Sequence, residues 1–136
     1  MTQENKELLL KDLCARLPYG VKVAFFNEDL TYHSEPKTLI QIECINNLNY
    51  SRLEDEDGNS TIIEFVRPYL FPLSSMTDEQ KSEWRTINNW LDETKKNQTL
   101  GDWAVDLIVF YNKNHFDYRG LIPKGLAIDS TGLNIY

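Results

Sequence analysis

The stretch "KNHFDYRGLIPKGLA", residues 113–127, gathers the reactive side chains that lie closest together in this chain. His115 and Asp117 are the raw material of a general acid–base pair or of half a metal site. Tyr118 and Arg119 add a phenol and a guanidinium. Two residues with one between them converge only on extended backbone; a helix would point them apart. The company such a pair needs is missing, because His33, the other histidine, lies far off in an irregular segment. No nucleophile elbow, HExxH or C-x-x-C motif accompanies the pair. Gly120 and Gly125 do not make a phosphate loop, since Leu126 and Ala127 stand where lysine and a hydroxyl would be needed. A plainer reading has Asn114 or a neighbour ending a helix, with Phe116 and Tyr118 anchoring the chain. In that reading Asp117 caps the next turn, Arg119 pairs locally or meets an acidic group across the fold, and Pro123-Lys124-Gly125 turns the chain. The expectation is therefore no catalytic residue, with His115 and Asp117 the candidates should there be chemistry.

Elsewhere the reactive types read as structural. Ser74 and Ser75 precede a helix and have no adjacent base, which suits caps better than nucleophiles. The carboxylates Glu54 to Asp57 cluster on a hairpin tip with no apolar pocket to raise a pKa. Their register misses a calcium loop, with Gly58 one place off and no closing bidentate glutamate. Cys14 and Cys44 fall in a helical and a strand pattern and read as small buried hydrophobes, not as a disulfide scaffold. Neither histidine stands at a ligand spacing from them, so no metal and no cofactor is expected. Tyr69, Trp90, Tyr118 and Arg119 are the candidate binding residues, with Trp90 off its helix's main apolar stripe.

The elements that must position these groups follow from periodicity. Residues 4–16 carry leucines at helical spacing, and Pro18 with Gly20 stops that helix. Val21, Val23 and Phe25 alternate as a strand does. Ile40, Ile42 and Cys44 share one strand face, with Gln41 and Glu43 on the other. Asn46-Asn47 suggests a bend or bulge, and Asp57-Gly58 is the clearest hairpin signal in the chain. Residues 60–66 read as the return strand, after which Pro68 and Pro72 end the sheet. Thr77-Asp78-Glu79-Gln80 matches a capping box opening a helix to about Leu91. Residues 102–113 form the most apolar helix, expected to be buried on most sides as the packing centre of the helical part. The sum is one α+β domain over residues 1–136: an N-terminal helix, an antiparallel meander of three or four strands, then two helices packed on the sheet.

Charge narrows the partners. Of a net −7, residues 27–66 hold two Lys/Arg against nine Asp/Glu and so carry the whole imbalance. A surface of that sign repels phosphate backbones, which disfavours ordinary nucleic-acid binding. It fits a solvated acidic sheet or, more sharply, an acidic face that mimics nucleic acid. No apolar run approaches the roughly 18 residues of a membrane-spanning helix. The N-terminal segment lacks the basic start of a signal peptide, so a soluble protein of the cytoplasm is expected.

Three blocks, "LLLKDLCARLPYGVKV" (8–23), "RPYLFPLSSMTDEQKSEW" (67–84) and "NHFDYRGLIPKGLA" (114–127), together resemble an uncharacterised family of small proteins of gut bacteria and their prophages or other mobile elements. The resemblance implies a small phage- or prophage-borne protein, and it brings no activity and no functional residues. The leading expectation is a non-enzymatic accessory module that binds an unknown protein partner. The alternatives are a small enzyme using His115 and Asp117, and an acidic inhibitor of a nucleic-acid-binding protein.

Overall fold

The computed structural model describes residues 1–45 and 50–136. The bend expected at residues 46–47 lies outside the described residues. Thr2 opens helix α1 (Gln3–Arg16), its hydroxyl accepting the Asn5 N–H. Leu9, Leu10 and Leu13 of α1 are buried against the sheet. Gly20, at φ +70°, turns the chain out of the helix into strand β1 (Lys22–Phe25). Strands β2 (Lys37–Ile45), β3 (Tyr50–Asp55) and β4 (Ser60–Thr61) continue from β1 as the expected antiparallel meander. Asp55 closes the tip between β3 and β4, its Oδ1 accepting the N–H of Asp57 and of Asn59. The acidic hairpin tip is thus partly a turn device.

The sheet is larger and mixed. β5 (Val66–Leu70) crosses back to pair with the far side of β1, and β6 (Ile128–Asp129) adds to it in parallel, for the order β4-β3-β2-β1-β5-β6. Residues 66–70 therefore do not end the sheet. Pro68 is tolerated inside it for a reason of parity. The Phe65 carbonyl faces β1, accepting Phe26 N–H, whereas the Leu70 carbonyl faces β6, accepting Ser130 N–H. Pro68 shares the parity of Leu70, and β6 pairs only from Tyr69 onward, so the missing proline N–H is owed to no neighbour. Residues 60–66 are likewise not one return strand: β4 stops at Thr61, and a single 3₁₀ turn over Ile63–Phe65 carries the chain to β5.

A bulge between Leu39 and Gln41 shifts the facing of β2. Leu39 and Ile42 join the core and Ile40 is turned outward, contrary to the simple alternation. Both cysteines are exposed and not buried. Cys14 sits on the flank of α1, and Cys44 lies beyond Ile42 near the end of β2.

Helix α2 (Asp78–Ile87) opens with the expected capping box at Thr77 and Gln80. It ends before Leu91, at Asn88, whose side-chain amide donates to the Trp84 carbonyl. Helix α3 (Leu100–Lys113) opens with a second capping box, Thr99 and Asp102. The two helices pack chiefly on each other, and α3 also on α1. They contribute nothing to the main core cluster between α1 and the sheet, so the expectation that both helices pack on the sheet is corrected. No helix among the described residues is long and apolar enough to cross a membrane.

Candidate functional site

The candidate site has two parts: the reactive side chains of the corner after α3, and the exposed apolar residues of α3 itself. The corner is built by backbone first. Asn114 ends α3 and its amide donates to the Phe110 carbonyl. His115 takes φ +60°, a left-handed turn that few non-glycine residues adopt, and the chain reverses. Phe71, just past β5, then grips the reversal: its N–H donates to the His115 carbonyl and its carbonyl accepts the Asp117 N–H, both at 2.8 Å. Phe116, now inside, meets the rings of Phe71 and Phe110 at 6.5 and 5.9 Å between centroids.

Asp117 does not face His115. Its two carboxylate oxygens accept the N–H groups of Leu121 and Ile122, each at 2.8 Å. This is the capping role, and it consumes the carboxylate. We expect Asp117→Ala to cost about 2 kcal/mol in a urea melt, because it strands the buried Leu121 N–H as well as its neighbour. Asp117→Asn, which keeps one acceptor, loses less. Equal stability of the two variants would contradict the assignment.

The His115 ring stacks on Tyr136, 3.5 Å between centroids and 9° from parallel. Its Nδ1 is buried and finds no hydrogen-bond partner among the described residues. Burial, with a smaller contribution from the charge on Arg16, lowers its pKa to about 4. The imidazole is therefore neutral at physiological pH and a poor proton acceptor. Tyr136 is itself fastened, its hydroxyl accepting Lys22 N–H and donating to the Tyr69 carbonyl. That hydroxyl bridges β1 and β5 where their ladder parts. The neighbouring cleft, about 120 Å³ in volume, is lined by Phe71, Ser75, Thr77, Gln80 and Phe116, and by neither member of the His–Asp pair.

Beneath the corner lies an ion cluster that the sequence reading passed over. Arg16 is wholly buried, its Nε donating to Asp12 Oδ2 at 2.7 Å and its Nη2 to the Phe116 carbonyl at 2.6 Å. Arg119 reaches the other Asp12 oxygen at 3.1 Å and also donates to the Tyr118 hydroxyl. Both guanidiniums approach the Tyr118 ring, at 5.1 and 4.9 Å from its centroid, while the ring stacks on Tyr111. So Arg119 meets an acid across the fold, and Tyr118 serves the same joint. The signal was present: Asp12 and Arg16 fall on the helical stripe of Leu9 and Leu13, where charges must be paired inside. Tyr69 is corrected outright as a contact residue, since it is 3% exposed. Of the four binding candidates, Trp90 faces outward, its ring 6.0 Å from that of Trp103.

The second place is α3. Only Phe110 and Asn112 of this apolar helix are buried, so it is not the packing centre expected from its composition. One side is committed: Trp103 donates to Asn88, Tyr111 receives Trp84 Nε1–H, and Lys113 pairs with Glu83 at 2.7 Å. The other side carries Val105, 60% exposed, and Ile108 at 42%, while Val109 at 36% stands at the margin, lining the cleft toward Glu83, Thr86 and Ile87 of α2. These three stand at i, i+3 and i+4 and so form one contiguous apolar patch. Leu100 at 75% and Leu91 at 93% lie near the start of the same helix in sequence. Among the described residues no group of His, Cys, Asp or Glu is arranged to hold a metal ion.

Compared with protein-family models, with curated proteins and with solved structures, the chain matches none.

Proposed function

We propose that this chain is a non-enzymatic protein-interaction module, an accessory factor whose contact surface is the outward face of α3. One observation carries the reading: the most apolar helix turns Val105 and Ile108 to solvent, with Val109 at their margin, while its other side packs on α2. A contiguous apolar surface without a covering element marks an interaction site far more often than scattered single residues do. Trp90 supplies an exposed aromatic of the kind that dominates interface energies. The enzyme alternative has little to build on, since Asp117 spends its carboxylate on two backbone N–H groups and His115 is stacked and neutral.

The acidic-mimic alternative is weakened by where the charges go. Asp55 is buried in its turn, Asp57 pairs with Lys37 at 2.8 Å, and Glu64 pairs with Lys6. Glu43 and Glu54 share Arg52 at 3.7 and 3.8 Å. Lys37 and Arg52 belong to residues 27–66 and are already counted in that stretch's net −7, so of these partners Lys6 alone offsets it from outside. What the contacts do is hold these five carboxylates to local partners and not in a row that imitates a phosphate ladder.

The test compares wild type with Val105→Glu/Ile108→Glu in tagged capture from a lysate of the source cell, read by mass spectrometry. The double variant melts within about 1 °C of wild type, because solvated positions tolerate charge. It loses captured partner by roughly 30-fold or more, as truncating an apolar hot spot does. A partner retained undiminished by the double variant would remove α3 from the proposal.

A further inference from the structure

The two cysteines stand 30 positions apart in sequence and face the same cleft. Cys14 follows Leu10 by one helical turn on the flank of α1. Cys44 follows Ile42 on the core-facing side of β2, just beyond the cover that α1 provides. Both thiols are free and exposed, and they line one cleft of about 340 Å³ with Glu7, Leu10 and Lys11. Partial burial raises the Cys14 pKa, and Cys44 adds to the shift, so the two sulfurs lie within each other's electrostatic reach.

We propose that Cys14 and Cys44 form a redox-modifiable dithiol site that hydrogen peroxide closes into an intramolecular disulfide between α1 and β2. A structural cysteine pair would be buried or already joined, and an inert cysteine is shielded by packing; these two are neither. Disulfides in reducing compartments, where present, are commonly transient and redox-sensing.

The step balances as follows. Cys44, as thiolate, attacks one peroxide oxygen, the O–O bond breaks, and the departing hydroxide takes a proton to leave as water. Cys44 is then a sulfenic acid. Cys14 attacks that sulfur as its thiolate; the S–S bond forms, the S–O bond breaks, and the departing hydroxide takes a proton to leave as a second water. Two thiols and one hydrogen peroxide give one disulfide and two waters, the sulfurs being oxidised and the peroxide oxygens reduced.

The test uses the whole chain, reduced and then given stoichiometric hydrogen peroxide. Mass spectrometry without reductant is expected to show the loss of two hydrogens, with Cys14 and Cys44 in one cross-linked peptide. The cross-linked chain melts higher by on the order of 10 °C, since it closes a loop of about 30 residues, and reductant reverses the shift. Cys14→Ser holds Cys44 at the sulfenic acid, trapped by a dimedone-type reagent. Oxygen gained on wild type without the cross-link would overturn the proposal, as would disulfides formed only between chains. A cross-link that lowers the melting temperature would overturn it too, because it would then belong to a distorted fold.

Discussion

Asp12→Ala is expected to cost about 3–5 kcal/mol, the penalty for leaving a buried charge without its counter-ion. Arg16 is fully buried and would keep only the Phe116 carbonyl as partner, while Arg119 would lose its carboxylate as well. For a domain whose whole stability is about 5–15 kcal/mol, that is a large share. It would appear as a fall in melting temperature of roughly 10–20 °C. The corner from Asn114 to Ala127 should loosen first. It touches α1 through this joint, and Tyr118 holds its place partly by receiving both guanidiniums. The informative companion is Asp12→Leu/Arg16→Met, which removes both buried charges. Well-packed apolar replacements of buried ion pairs are often neutral or stabilising, so the double variant should recover much of the loss. Arg119, partly exposed, can turn its guanidinium to water. A loss below about 1 kcal/mol for Asp12→Ala would mean that water already reaches the pair. The cluster would then not be what joins α1 to the corner.

Much of this fold was legible because local chemistry and global position agree. The capping box at Thr77, the Asp57-Gly58 tip and the strand at β1 each fix a local geometry that the rest of the molecule does not contradict, although Ala24 is buried as fully as Val23. What misled was apolarity read as burial. Residues 100–113 are more apolar than any other helix, yet a chain of this size offers α3 only α2, part of α1 and the corner as neighbours. Periodicity says which residues share a face; it does not say whether anything covers that face. The bulge at Leu39–Gln41 is a similar limit, since one extra residue exchanges the two faces of β2 and leaves no mark in the alternation. Pro68 shows the converse. A proline argues against an interior strand, but the argument assumes a neighbour that wants its N–H, and here β6 starts one residue later.

The candidate site divides in the same way. The capping role of Asp117, and for Arg119 a partner either local or across the fold, could be read from residue types and the lack of catalytic company; Arg119 has one of each, Tyr118 and Asp12. The distant partner of Arg119 lies 107 positions away and could not be read from spacing. The three blocks that carry the sequence resemblance fall on α1 to β1, β5 to α2, and the corner, and this joint ties the first to the third. The outward face of α3 lies in none of them. The contact surface proposed above thus lies outside the stretches that carry the resemblance.

His115 gives the scaffold a definite acid response, and its sign follows from the two states. In the unfolded chain the imidazole has the ordinary pKa of 6.5; in the fold it is lowered to about 4, by burial first and by Arg16 second. Above pH 6.5 the group is neutral in both states and the stability it permits is fully present. Between pH 6.5 and 4 the unfolded chain takes up a proton that the folded chain refuses. Stability then falls by up to about 1.4 kcal/mol per pH unit. Below pH 4 both states carry the proton and the loss levels off. With some screening allowed for a ring that is not wholly enclosed, the total is about 2–3 kcal/mol. The ring faces Tyr136, stacked on it and held neutral throughout this range by burial, and lies within reach of the Arg16 guanidinium. Asp29, Glu64, Asp92 and Asp129, whose pKa values are lowered in the fold, withdraw stability only as pH falls through and below the ordinary carboxylate range. Their window lies mostly under that of the histidine. His115→Asn isolates the effect, because asparagine accepts the +60° φ of this position and does not titrate. Urea melts at pH 7 and pH 4.5 should show wild type losing about 2 kcal/mol more than His115→Asn. Parallel losses in the two proteins would place the imidazole in water and remove the stacked, desolvated ring from the account of how the corner is held.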